Sequence, residues 1–171
     1  AALGRALRRH GMTIATAESC TGGLVAAQLT AAPGSSDFFV GGFVTYSNAS
    51  KEALLAVPAD TIRRHGAVSE ATAVSMAVGA RARLAVDVAV SVTGIAGPTG
   101  ASPGKPVGLV YIGVATLAGV VVRRRVFAGT RTVVRRAAAA EAIEAALAAV
   151  PGAGPMLAGP DRPAATGPTA P

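Results

Sequence analysis

The run DVAVSVTGIAGPTG, residues 87–100, decides how this chain folds. Asp87 to Val92 (DVAVSV) sets valine at every second position with small Ala89 and Ser91 between, and reads as a buried strand. Strands of that kind belong to sheets with helices packed above and below. Thr93 to Gly100 then supplies glycines at the strand's carboxyl end. In open α/β sheets that end is where ligands bind, and glycine lets a backbone approach them closely. Gly100 to Lys105 is not a phosphate-binding P-loop: its glycine spacing is wrong, and Pro106 stands where a hydroxyl would hold magnesium.

Outward from this strand, the rest of the chain falls into alternating elements. Residues 1–10 place Leu3 and Leu7 four apart with Arg8 and Arg9 opposite, a short amphipathic helix that Gly11 stops. Met12–Ala17 reads as a buried strand. Glu18-Ser19-Cys20-Thr21-Gly22-Gly23 leads into the helical run LVAAQLTAA. A helix start behind small hydroxyl residues and glycines can take an anion; it can equally be an ordinary capped turn. Asp37–Tyr46 reads as a strand, with Gly41-Gly42 marking a bend. Ser47 or Asn48 caps the helix that follows, and Ser69 caps a long helix ending near Leu84. His65 reads as a surface residue. Val107–Thr116 and Val120–Phe127 form a hairpin, and a last helix runs from Arg131 to about Val150. The order predicts an α/β protein: a three-layer α/β/α sandwich with a mixed, mostly parallel sheet.

At 171 residues the chain is expected to form one domain, residues 1–150, followed by a Pro/Ala/Gly-rich tail over 151–171 that reads as disordered. The net charge of +7 suits an anionic ligand. The basic residues are scattered and lack interleaved aromatics, so nucleic acid is not an expected partner. One cysteine, two His and nine acids without ligand spacing argue against a disulfide framework and a metal site. No apolar run reaches a membrane span, and no signal sequence opens the chain, so a cytoplasmic protein without membrane attachment is expected.

Lysine usage is informative. The sixteen Lys and Arg include two lysines, Lys51 and Lys105. Arg cannot lose its proton in a protein; a desolvated Lys can, and then acts as a base. Lys51 in the first turn of a helix lies at its positive end, which disfavours the ammonium form. It reads either as a solvated helix-start residue or as a base for a serine. Tyr46 reads either as an edge tyrosine or as a proton carrier beside it. Arg131 at the last helix start reads as a phosphate clamp or as a solvated side chain.

AESCTGG at 17–23, GSSDFFVGGFVTYSNASK at 34–51 and SVTGIAGPTG at 91–100 stand together with GKPVG at 104–108, HGAVSE at 65–70 and FAGTR at 127–131. In this order they resemble the CinA C-terminal domain family, the bacterial nicotinamide mononucleotide (NMN) amidohydrolases, over residues 1–150. The resemblance implies hydrolysis of the NMN carboxamide to nicotinate mononucleotide and ammonia, with no cofactor or metal. It implies a catalytic serine, tyrosine and lysine, falling on Ser36, Tyr46 and Lys51. Ser19, Thr21, Thr93 and Arg131 fall on positions that look like substrate contacts. The glycine turns at Gly22, Gly23 and Gly94 join them, with the 5′-phosphate expected on the helix start after Gly22-Gly23 and on Arg131. Ser19, at a strand end before a helix, is the rival nucleophile. Ser36 is favoured because it shares a segment with Lys51, provided the strand bends at Gly41-Gly42. The rival function is a non-catalytic pyridine-nucleotide-binding module, which would have no use for Lys51. A homodimer is expected.

Overall fold

The structure is a computed structural model and describes residues 2–152; the expected tail lies almost entirely outside them. The elements are α1 (Ala2–His10), β1 (Ile14–Glu18), α2 (Leu24–Thr30), a 3₁₀ turn (Ser35–Asp37), β2 (Phe39–Val44), α3 (Asn48–Leu55), α4 (Ala59–His65), α5 (Glu70–Leu84), β3 (Val88–Gly94), β4 (Leu109–Thr116), β5 (Gly119–Val126) and α6 (Arg131–Ala149). The strands form one sheet in the order β2-β1-β3-β4-β5. β2, β1 and β3 run parallel; β4 is antiparallel to β3, and β5 to β4. Four of the five strands therefore point the same way.

Side-chain alternation sorts the sheet into two faces. Ile14, Val88, Val90 and Val92 pack beneath α1, α2 and α6, with Leu3, Leu7, Val25 and Val134. Ala15, Ala17 and Ala89 face the other way, against Met76 and Ala80 of α5 and Leu55 of α3. Larger side chains on one face and alanines on the other set the spacing of the layers. The small face lets α5 lie close: Ser91 Oγ donates to Ala73 O at 2.6 Å. Gly79 lets α3 cross α5, because a Cβ there would overlap the Leu55 carbonyl.

The parallel strands bring their carboxyl ends level. Glu18 is in register with Val44 on one side and Val92 on the other. Ser19 N–H donates to Val92 O at 2.9 Å and Thr45 N–H to Glu18 O at 2.8 Å, so the ladder continues one residue past each strand. Three loops leave the sheet at this edge, after β1, β2 and β3. Among the described residues no helix is long and apolar enough to cross a membrane.

Candidate active site

A pocket opens where these three loops meet, lined by Ser19, Tyr46, Lys51, Thr93, Gly94 and Arg131 together with the turn Ile95–Gly97 and the residues Ala67-Val68. Ser19 follows β1 directly, in a strand–turn–helix corner. Tyr46 follows β2. Ser47 caps α3 through Ser50 N–H, and Ser50 Oγ returns the contact to Ser47 N–H. This capping box fixes the first turn of α3 and with it Lys51. Lys51 and Leu55, one turn apart, are the buried face of that helix.

Lys51 is the largest fully buried side chain of the described residues, 1% exposed. Its Nζ donates to Thr45 O at 2.8 Å and lies 3.2 Å from Ser19 Oγ. Both neighbours are neutral oxygens. No carboxylate pairs with Lys51 among the described residues. Burial pushes its pKa below the ordinary 10.5, opposed by the nearby Cys20 side chain. The neutral amine has a lone pair to offer, and Ser19 O–H is within reach to donate to it.

The expectation that Ser36 meets Lys51 within the chain is corrected here. Ser36 lies in the 3₁₀ turn before β2, while Lys51 lies beyond its other end. A strand of six residues spans ~17–20 Å. The register does shift near Gly41, yet β2 continues along β1 to Val44 without doubling back. The Ser36 turn is tied instead to α1: Arg8 pairs with Asp37 at 3.0 Å and donates to the carbonyls of Pro33 and Gly34.

The phosphate site expected at Thr21, Gly22 and Gly23 is corrected too. The start of α2 is already filled from within. The Glu18 carboxylate accepts from the N–H groups of Gly23, Val25 and Ala26 at 2.9, 3.1 and 2.8 Å. Thr21 is fully buried, and Arg135 holds the turn by donating to the carbonyls of Cys20 and Thr21 at 3.1 and 2.7 Å. Neither Glu18 nor Arg135 was assigned a role from the sequence. Arg135 stands one helical turn beyond Arg131, a spacing that places both on one side of α6 and could have drawn attention to it.

Arg131 lies at the rim, at the first residue of α6, with Thr130 as N-cap. It donates to Gly97 O at 2.9 Å and to Tyr46 Oη at 2.7 Å, joining the loops after β3 and β2. Tyr46 is thus bonded to Arg131, with Lys51 bonded elsewhere. Thr93 Oγ1 donates to Ala67 O at 2.7 Å, fixing the turn before α5 against the end of β3. Gly94 lets β4 pass close by: a Cβ there would come 2.7 Å from Leu109 O. Cys20 also lines the pocket, but burial raises its thiol to about 11, so it is held protonated.

Fold and pocket together define an α/β protein with a buried, uncompensated lysine against a serine at the carboxyl edge of the sheet. The chain belongs to the CinA C-terminal domain family, whose model matches residues 1–150. It is 50% identical to the nicotinamide-nucleotide amidohydrolase PncC of Escherichia coli K12 over 143 residues, covering 83% of this chain and 87% of that protein. It is also 50% identical to a CinA-like protein of Salinibacter ruber over 146 residues, 85% of this chain. There the chain spans about a third of the relative, 35%. Among solved structures, a CinA superfamily protein of Klebsiella pneumoniae superposes with a TM-score of 0.82 at 36% identity, covering 85% of this chain and 91% of that one. The CihA protein of Agrobacterium tumefaciens gives 0.80 at 42% identity, covering 86% and 95%.

Proposed function

We propose that this chain is an amidohydrolase that converts NMN and water to nicotinate mononucleotide and ammonia. The observation that carries it is Lys51, buried without a counter-charge and 3.2 Å from Ser19 Oγ. A binding module gains nothing from burying an unpaired lysine, which costs stability. The half-identity to a nicotinamide-nucleotide amidohydrolase over most of both chains supports the choice of substrate.

In the proposed reaction Ser19 is the nucleophile. Neutral Lys51 takes the Ser19 proton as Oγ bonds to the carboxamide carbon. The resulting ammonium returns that proton to the amide nitrogen, the C–N bond breaks, and ammonia leaves. Water then attacks the ester, giving its proton to Lys51, which passes it to Ser19 Oγ as the C–Oγ bond breaks; the acid leaves, and free Ser19 and neutral Lys51 are restored. Ala96 and Gly97 line the pocket, and the backbone N–H groups of this turn are assigned to the developing oxyanion. Arg131 and the start of the nineteen-residue α6 supply positive charge for the 5′-phosphate. Tyr46 orients Arg131, and Thr93 and Gly94 shape the floor.

The test is ammonia release from purified protein given NMN, nicotinamide riboside or nicotinamide. Turnover of NMN well above the other two is expected. Binding of NMN without ammonia release would establish the binding module instead.

A further inference from the structure

Ser19 is anchored on one side and free on the other. Its N–H stays in the ladder, on Val92 O at 2.9 Å. Beyond it the chain leaves the sheet through Cys20, Thr21, Gly22 and Gly23, with Gly22 and Gly23 at φ 59° and 95°. Glycines lose the most backbone freedom on ordering, so a turn built on them needs outside bonds to keep one shape. Glu18 supplies such bonds only from Gly23 onward, and only to N–H groups.

The carbonyls next to Ser19 are held from α6. Arg135 donates through Nε to Cys20 O at 3.1 Å and through Nη2 to Thr21 O at 2.7 Å. Gly22 N–H belongs to the same peptide group as Thr21 O, and it donates to Ser19 O at 3.1 Å. A line of hydrogen bonds therefore runs from the guanidinium, through one peptide, to the carbonyl of Ser19. Bonds in such a line polarise and strengthen one another. Arg135 is half-buried, and among the described residues no carboxylate pairs with it. Its planar fork meets both carbonyls at once, which the point charge of a lysine does not. Gly22 leaves the room for it: a Cβ there would stand 3.2 Å from Arg135 Nη2.

We propose that Arg135 is a positioning residue for Ser19: by fixing the Cys20 and Thr21 carbonyls it keeps Ser19 Oγ at the Lys51 amine. The inference rests on Ser19 being the nucleophile of the reaction proposed above. Arg135 is absent from the pocket lining, whereas Arg131, one turn earlier on α6, is part of it. Loss of Arg135 therefore belongs in kcat, and loss of Arg131 in KM. A misplacement of about 1 Å at a reacting group lowers its rate by roughly 100-fold.

The nucleophile can be followed without NMN, by the rate at which a fluorophosphonate probe labels the protein, read by intact mass and peptide mapping. Wild type is expected to carry the label on Ser19. Arg135→Met is expected to label about 100-fold more slowly per folded molecule, with kcat for NMN falling in parallel and KM unmoved. Arg135→Lys should fall nearly as far. In Arg135→Ala, added methylguanidinium should restore both labelling and kcat, and methylammonium, of equal charge, should not. A purely structural role would lower the melting temperature and leave the rate per folded molecule alone. An unchanged rate in Arg135→Met, a loss confined to KM, or equal rescue by methylammonium would each overturn the proposal while Ser19 keeps its role. Labelling that persists in Ser19→Ala would instead remove Ser19 as the nucleophile, and this role of Arg135 with it.

Discussion

The starts of α2 and α3 each hold a buried ionisable side chain at the same edge of the sheet, and the two are treated oppositely. Glu18 and Lys51 are both 1% exposed. Glu18 places its carboxylate on three backbone N–H groups of the first turn of α2. Its charge is matched by hydrogen bonds and by the helix dipole. Lys51 sits in the first turn of α3, where the dipole opposes its charge, and finds two neutral oxygens. One ionisable group is satisfied and holds a corner rigid. The other is left unsatisfied and becomes a base. The contrast separates structure from chemistry at neighbouring positions, and each variant below tests one side of it.

The largest effects belong to the unsatisfied side. Lys51→Met and Ser19→Ala should each lower kcat by ~10⁴-fold, and the double variant little more, because a nucleophile and its base act as a unit. Lys51→Arg should be as inactive as Lys51→Met while still binding NMN in calorimetry. Retained turnover in either would remove Lys51 from the mechanism. Activity should rise with pH through the depressed lysine pKa, since the base must be neutral. Stability follows the same sign. Between the folded pKa and 10.5 the unfolded chain holds the proton and the folded one does not, so burial of Lys51 costs stability below 10.5 and the cost fades as pH rises to it. Lys51→Met should therefore melt higher than wild type at neutral pH, by a margin that shrinks towards pH 10.5. An unchanged melting temperature would mean that Lys51 is not strained by burial.

Arg131→Ala comes next. Loss of a charge-assisted contact to the phosphate is worth about 1.5–3 kcal/mol, roughly 10- to 150-fold. It should appear in KM for NMN and leave nicotinamide riboside within a few-fold. Equal losses on both substrates would assign Arg131 to holding Tyr46 and Gly97 rather than to phosphate.

Much of this contrast could be read from the residues, and what could not has a physical reason. The β3 strand was legible because a run buried on both faces cannot disguise itself. Lys51 was legible because the chain uses Arg nearly everywhere else. Its partner was not. Ser36 and Lys51 share a motif, but a strand lies between them, and an extended segment carries its two ends apart. Ser19 is 32 residues away and arrives through the parallel pairing that sets Glu18 level with Val44. Proximity of that kind is a property of register, which no local pattern states. The glycine turn at 21–23 misled for a related reason. Its helix start has the features of an anion site, and the anion it holds is the chain's own Glu18.

Ser36→Ala sharpens the same point at a smaller scale. A hydroxyl in the turn before β2, a strand's length from Lys51, contributes a neutral hydrogen bond at most, ~2- to 10-fold in kcat/KM. A loss matching that of Ser19→Ala would return the nucleophile's role to Ser36.

Glu18→Gln should change turnover least of all, and it tests the satisfied side. The glutamine amide keeps one oxygen, which can still accept from Gly23 and Val25 N–H. Its NH₂ then faces Ala26 N–H, donor against donor, so one hydrogen bond is lost and one buried donor is left unmatched. That costs about 1–3 kcal/mol, with ~0.3–1 kcal/mol more for the charge removed from the helix start. The urea midpoint should fall accordingly, while the folded fraction turns over NMN at nearly the wild-type rate. The KM for NMN is the discriminating readout. Were the start of α2 the phosphate site, removing the negative charge of Glu18 would strengthen phosphate binding and lower KM. If that corner is purely structural, KM stays put and stability alone moves. A KM that falls severalfold in Glu18→Gln would restore Gly22-Gly23 to the substrate and leave Arg131 as a bystander.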